Sequence, residues 1–135
     1  MSQENVEIVR RLWDAANRRD RDAVLSLYDR DVELDVTGFP FPATEGGTYQ
    51  GHDGLRRLFR EWRDTWRDAD AQLHEVVDAG DTVVAVYTYR AHGRTSGAPV
   101  HHEFATVTTI RSGKIVRVRW FPSAERALTA AGLRS

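Results

Sequence analysis

Residues 98–121, APVHHEFATVTTIRSGKIVRVRWF, contain two runs of alternating side chains on either side of an Arg-Ser-Gly segment. The alternation predicts an antiparallel hairpin, and the turn decides which side chains share a face. A three-residue loop from Arg111 to Gly113, with Gly113 in the left-handed position of a G1 bulge, sets Ile110 opposite Lys114. Thr108, Thr106 and Phe104 then oppose Val116, Val118 and Trp120. One face collects His102, Phe104, Thr106, Thr108, Val116, Val118 and Trp120, the other His101, Glu103, Ala105, Val107, Thr109, Arg117 and Arg119. The two arginines select the second face as the outer one. A two-residue Ser-Gly turn would shift the pairing by one and bring Arg119 opposite Thr106, burying a charge.

The same test on residues 82–92 places Val83, Ala85, Tyr87, Tyr89 and Ala91 inside and Val84, Val86, Thr88, Arg90 and His92 outside. Further strands are predicted over Gln72–Val77 and over DVELDVT at 31–37, where Val32, Leu34 and Val36 alternate with acids. Helices are predicted from Asn5 to Asn17, capped by Ser2 or Asn5, and after an Asp20 cap with Ala23, Val24, Leu27 and Tyr28. A third runs over 53–67, capped by Asp53 and carrying Leu55, Leu58, Phe59, Trp62 and Trp66 on one stripe. A short terminal helix follows Ser123 and ends at Gly132, while 38–51, rich in Gly and Pro, reads as a loop. Three helical segments, one of them after the first strand, and a final run of antiparallel strands define an α+β domain with helices on one face of a sheet.

A chain of 135 residues fits one domain, 1–135. Nineteen basic and twenty acidic side chains leave a net charge of -1, without the basic excess that would favour nucleic acid. The stretch MSQENVEIVRR lacks the apolar segment of a secretory signal and no run reaches a membrane span, so the expectation is a cytoplasmic protein without membrane partners. Zero cysteines exclude disulfides, thiolate catalysis and Cys-ligated metals. His101 and His102, adjacent on a strand, point to opposite faces, and none of the five histidines pairs at the helical i, i+4 spacing, so neither metal nor another cofactor is expected.

The order of DAVLSLYDRDVELD, YQGHDGLRRLF, GDTVVAVYTYRAHG, SGKIVRVRWF and ALTAAGL resembles the nuclear transport factor 2-like superfamily, and within it the SnoaL-like branch, over almost the whole chain. The resemblance implies a strongly bent mixed or antiparallel sheet wrapped round the long helix, a cone-shaped α+β barrel of cystatin-like type with a pocket inside, and often a homodimer. It spans ketosteroid isomerases, dehydratases, epoxide hydrolases and polyketide cyclases, so the fold alone does not name a reaction.

In such a cone the inward positions give Tyr87, Tyr89, His102, Phe104, Thr106, Val118 and Trp120, with Val36 from the first strand and Trp13, Tyr28, Trp62 and Trp66 from the helices. An apolar wall with a few convergent polar groups suits a small apolar molecule. His102 is the candidate acid or base, because an imidazole titrates near neutral pH, with Tyr87 and Tyr89 orienting a substrate oxygen. Aromatic side chains at these spacings also make plain cores, and a histidine among them is often only a satisfied core residue.

The departures narrow the chemistry. Where the isomerases carry an aspartate base, alternation turns Val36 rather than Asp35 inward. The hydrolase Asp-Arg-Asp set falls on Tyr87, Ala85 and Trp120, which disfavours that mechanism. A dehydratase-like use of Tyr and His stays open, with His74 as a second histidine if it faces inward. Arg90, Arg117 and Arg119 either pair with outward acids such as Glu33, Asp35 and Glu103 or are solvated. The leading expectation is therefore a small-molecule-binding, cofactor-independent isomerase, cyclase or dehydratase. The alternative is a non-catalytic binding or dimerisation module with an aromatic-filled cone.

Overall fold

The computed structural model describes residues 2–39 and 47–133, so much of the expected Gly/Pro loop, 40–46, lies outside the described residues. The order is α1 (Ser2–Asn17), α2 (Arg21–Ser26), β1 (Tyr28–Asp35), β2 (Thr48–Gln50), α3 (Gly51–Thr65), β3 (Trp66–Asp78), β4 (Thr82–Gly93), β5 (Pro99–Arg111), β6 (Lys114–Phe121) and α4 (Ala124–Ala130). One sheet runs β2-β1-β6-β5-β4-β3. It is mixed, because β1 lies parallel to β6 while the other pairs are antiparallel. Helix α3 packs on β1 and β2 at one end of that order and on β3 at the other, so the sheet curls round it and stays unclosed. None of the described helices is long and apolar enough to cross a membrane.

The hairpin resolves the register question differently from the alternation argument. Arg111 pairs with Lys114, so the turn has two residues, and both Ser112 (φ 51°) and Gly113 (φ 78°) are left-handed, as a type I′ turn requires. Ile110 pairs with Ile115, and then Thr109 pairs with Arg117, leaving Val116 as the extra residue of a β-bulge. Beyond it Thr108 opposes Val118 and Thr106 opposes Trp120. The bulge restores the parity that the short turn would have shifted, which keeps the arginines out of the core. Val116 is the casualty: it lines a shallow depression on the outer face with Glu33, Thr109 and Arg117, and the fully buried Ile115 takes its place inside.

Several boundaries move. Tyr28 opens β1 instead of closing α2, and Trp66 opens β3 instead of lying on α3, although both are buried. Asp53 sits in the first turn of α3, whose N-cap is Gln50, whereas Asp20 and Ser123 do cap α2 and α4 by accepting from Ala23 and Arg126. Asn5 is inside α1 and donates to the Gly80 carbonyl at 3.4 Å. The helices are not confined to one face. Helix α4 covers the outer side, burying Val84, Val86, Ala105 and Val107 around Ala127, while α1, α2 and α3 cover the inner side. Consequently Val83–Tyr87 of β4 is buried on both faces.

The long edge strand β3 carries two irregularities, between Arg67 and Asp70 and between Leu73 and Glu75, and its Ala71 carbonyl accepts from Trp13 Nε1 at 3.0 Å. Bulges and a side chain bonded to an edge carbonyl blunt a strand that would otherwise invite pairing. A Cβ on Gly113 would meet nothing within 4 Å, so its left-handed φ alone opposes substitution. Gly113→Ala should therefore destabilise the fold by about 1 to 2 kcal/mol in urea unfolding, with the slope of the transition unchanged.

Candidate functional site

Strands β4 and β5 set out the inner wall. Tyr87 lies opposite Phe104, their rings stacked at 5.0 Å and 14°, and Tyr89 lies opposite His102. From α3, Trp62 donates its Nε1–H to the Tyr89 hydroxyl at 2.6 Å and meets that ring edge-on at 5.9 Å. Trp66 adds a third ring, 6.3 Å from Tyr89. Thr106 is buried opposite Trp120, which is half-buried, and Val118 is buried opposite Thr108. Val36, just beyond β1, is buried, with its N–H donated to the Gly47 carbonyl at 2.9 Å. Trp13 is half-buried and reaches β3 through its bond to Ala71.

The phenols are hard to ionise. Burial pushes Tyr87 up to about 12, opposed by a hydrogen bond with the Thr106 hydroxyl, and Tyr89 up to about 12, opposed by the donation from Trp62. Burial raises Tyr28 further, and the neighbouring Tyr87 phenol adds to the rise. A protonated phenol in an apolar wall is a fixed hydrogen-bond donor.

His102 shares the Tyr89 face, as alternation required, but it is exposed rather than enclosed by rings. It lies three residues after Pro99, at the start of β5, where the inner face opens to water. His101 is exposed on the other face, opposite Arg90. His74 is the extra residue at the Leu73/Glu75 irregularity and bonds the Thr88 hydroxyl on the outer side, so it does not enter the cone. The carboxylate of Asp35 accepts from the Thr37 N–H at 3.0 Å and the Thr37 hydroxyl at 2.6 Å, which orders the turn after β1. Glu33 and Asp35 stand beside Arg117 and Arg119 in the β1–β6 register, and Arg90 pairs with Asp70 at 3.4 Å.

Two features were not anticipated. Phe39 is buried with its ring 4.5 Å from Trp62, 5.2 Å from Phe104 and 5.6 Å from Tyr89. Its signal was an aromatic residue set between turn formers, GFP, where exposure would waste a large apolar surface. The second is Glu61 on α3, whose side chain is 12% exposed: it accepts from the buried Tyr49 hydroxyl and from Arg57 Nε at 2.8 Å, while the Arg57 guanidinium lies 5.1 Å from the Tyr49 ring centre.

A curled six-stranded sheet with an aromatic, phenol-bearing inner face defines an α+β protein of the nuclear transport factor 2-like fold. A nuclear transport factor 2-like protein from Burkholderia thailandensis E264 is 28% identical, with a TM-score of 0.79 over 94% of this chain and 95% of its own. One of unknown function from Burkholderia pseudomallei K96243 is 25% identical, with a TM-score of 0.80 over 96% and 97%. TerC, crystallised with polyporic acid, shares the fold at 22% identity, with a TM-score of 0.78 over 96% and 98%. The SnoaL-like domain model matches residues 9–118, and the chain belongs to that family. No curated protein matches the sequence.

Below about pH 9 the buried tyrosines are protonated in both folded and unfolded chains, so they leave stability unchanged. As pH rises towards about 12 the unfolded chain loses protons that the folded chain keeps, and stability falls. Urea unfolding should show this loss between about pH 9 and about pH 11, and a shallower one in Tyr87→Phe. Gly38 supplies a separate check. A Cβ there would lie 2.1 Å from the Trp120 carbonyl oxygen, so Gly38→Ala must displace the turn that carries Phe39. The expected cost is about 2 kcal/mol, with a changed near-UV spectrum from the rings around Phe39.

Proposed function

We propose that the chain binds a small, largely apolar molecule on the inner face of its sheet and converts it without a cofactor, as an isomerase, cyclase or dehydratase working by proton transfer. The observation that carries this reading is the pair of buried phenols, Tyr87 and Tyr89, at successive inward positions of β4 within an aromatic wall. Held protonated by burial, they donate to a substrate oxygen as negative charge develops on it. His102, on the same face and open to solvent, takes a proton from the substrate and exchanges it with water, or delivers one. The fold relative TerC, crystallised with polyporic acid, supports a small molecule as the class of ligand. A homodimer, as the family resemblance implies, is part of the same proposal.

One observation favours a second reading, a non-catalytic binding or dimerisation module: the rings of Phe39, Trp62, Tyr89 and Phe104 touch one another and fill the space between them. Substrate screening of the parent and two variants separates the readings. For a substrate that is turned over, His102→Ala should lower kcat by about 100-fold or more with little change in KM, and Tyr89→Phe should lower kcat/KM. Turnover that survives unchanged in His102→Ala removes the catalytic assignment.

A further inference from the structure

We propose that Trp62 is a positioning residue, which makes Tyr89 rather than Tyr87 the hydrogen-bond donor to an uncharged carbonyl oxygen of the ligand. This assignment rests on the reading of the two inward phenols as donors to a bound molecule. The Trp62 Nε1–H is donated to the Tyr89 hydroxyl at 2.6 Å, with the two rings edge-on at 85°. An indole nitrogen donates and never accepts, so the direction of this hydrogen bond is fixed and Tyr89 is the acceptor. The phenol's own proton must go elsewhere. Among the described residues the Tyr89 hydroxyl makes no second hydrogen bond. Tyr89 is only 4% exposed, so bulk water is largely shut out as well. A buried donor without an acceptor costs free energy, and an incoming oxygen removes that cost.

Tyr87 is differently placed. Its hydroxyl meets that of Thr106, which is buried on the neighbouring strand β5. A threonine hydroxyl both donates and accepts and rotates to suit its neighbour, so the Tyr87 proton can be spent inside the protein. At Tyr89 the donation from Trp62 works against the burial that holds the phenol protonated. Accepting one hydrogen bond polarises the O–H and strengthens the one it gives. Tyr89 also pairs across β4 and β5 with His102, whereas Tyr87 pairs with Phe104. The phenol with the unspent proton is therefore the one beside the exposed imidazole, on the same face. A neutral carbonyl suits this donor, because a carboxylate would shed its water among the rings of Trp62, Trp66 and Phe104 that stand edge-on to Tyr89.

Titration of the full chain with acetophenone carrying a carbon-13 label at its carbonyl tests this, since the bound resonance reports hydrogen-bond donation to that oxygen. Tyr89→Phe should bind the probe about tenfold more weakly and move the bound resonance upfield, whereas Tyr87→Phe should displace it far less. Trp62→Phe, which keeps a ring but no N–H, should also move the resonance upfield, and in a Tyr89→Phe background it should move it no further. If Tyr87→Phe displaces the resonance as far as Tyr89→Phe does, or further, the donor is wrongly assigned while the ligand site stands. An unmoved resonance in Trp62→Phe overturns the positioning role and leaves Trp62 as packing. If the parent does not bind acetophenone, no ligand carbonyl meets Tyr89, and the assignment and the ligand reading both fall. Should Trp62→Phe not fold, the indole N–H resonance of Trp62 decides: Tyr89→Phe must move it upfield, and an unmoved signal overturns the donation on which the assignment stands.

Discussion

The guanidinium groups of Arg117 and Arg119 cannot enter the apolar side of the sheet, and the pairing of β5 with β6 is arranged around that constraint. A two-residue turn alone would have carried both of them inward, at the cost of desolvating two charges with no partners. The type I′ turn at Ser112-Gly113 is nevertheless used, because its twist matches the strands it joins. The extra residue at Val116 then absorbs the shift of one. From that point Val118 and Trp120 face the same interior as Thr108 and Thr106, and the parallel partner β1 finds acids beside the two arginines. The inner wall therefore owes its composition to a correction of one residue.

With the faces fixed, the interior is built from neutral groups. The phenols of Tyr28, Tyr87 and Tyr89 and the indole of Trp62 supply its polarity, and burial holds the phenols protonated far beyond neutral pH. Such a wall can donate hydrogen bonds but holds no charge of its own. The exposed His102 stands at the open end of the same face. The turn after β1 reaches into the same space. Asp35, which alternation keeps out of the interior, orders that turn through Thr37, and the absence of a side chain on Gly38 lets its backbone pass the Trp120 carbonyl.

Alternation made the two faces of β4 and β5 legible, since strand geometry permits only a period of two. It located Tyr87, Tyr89, Phe104 and Thr106 correctly on the inside, and it placed His102 on their face. How deep that histidine lies was not legible, because exposure depends on where α3 stops covering the sheet. His74 escaped the alternation argument for a related reason: an irregularity in β3 redirects it, and bulges leave little mark on a single strand's sequence. The apolar character of Val84, Val86, Ala105 and Val107 on the supposedly wet face was a visible sign that α4 would dock there.

By itself the sequence determined the α+β order, the faces of the central strands and the family resemblance, because side-chain periodicity and the cost of burying charge act locally along the chain. Only the tertiary structure decided that Phe39 would sit among Trp62, Tyr89 and Phe104, that Glu61 would meet Tyr49 and Arg57, and that His102 would stand at the rim. Each of those outcomes depends on contact between segments distant in sequence. A loop side chain has no periodicity to announce where it will be buried, and the space it fills exists only after the sheet has curled round α3.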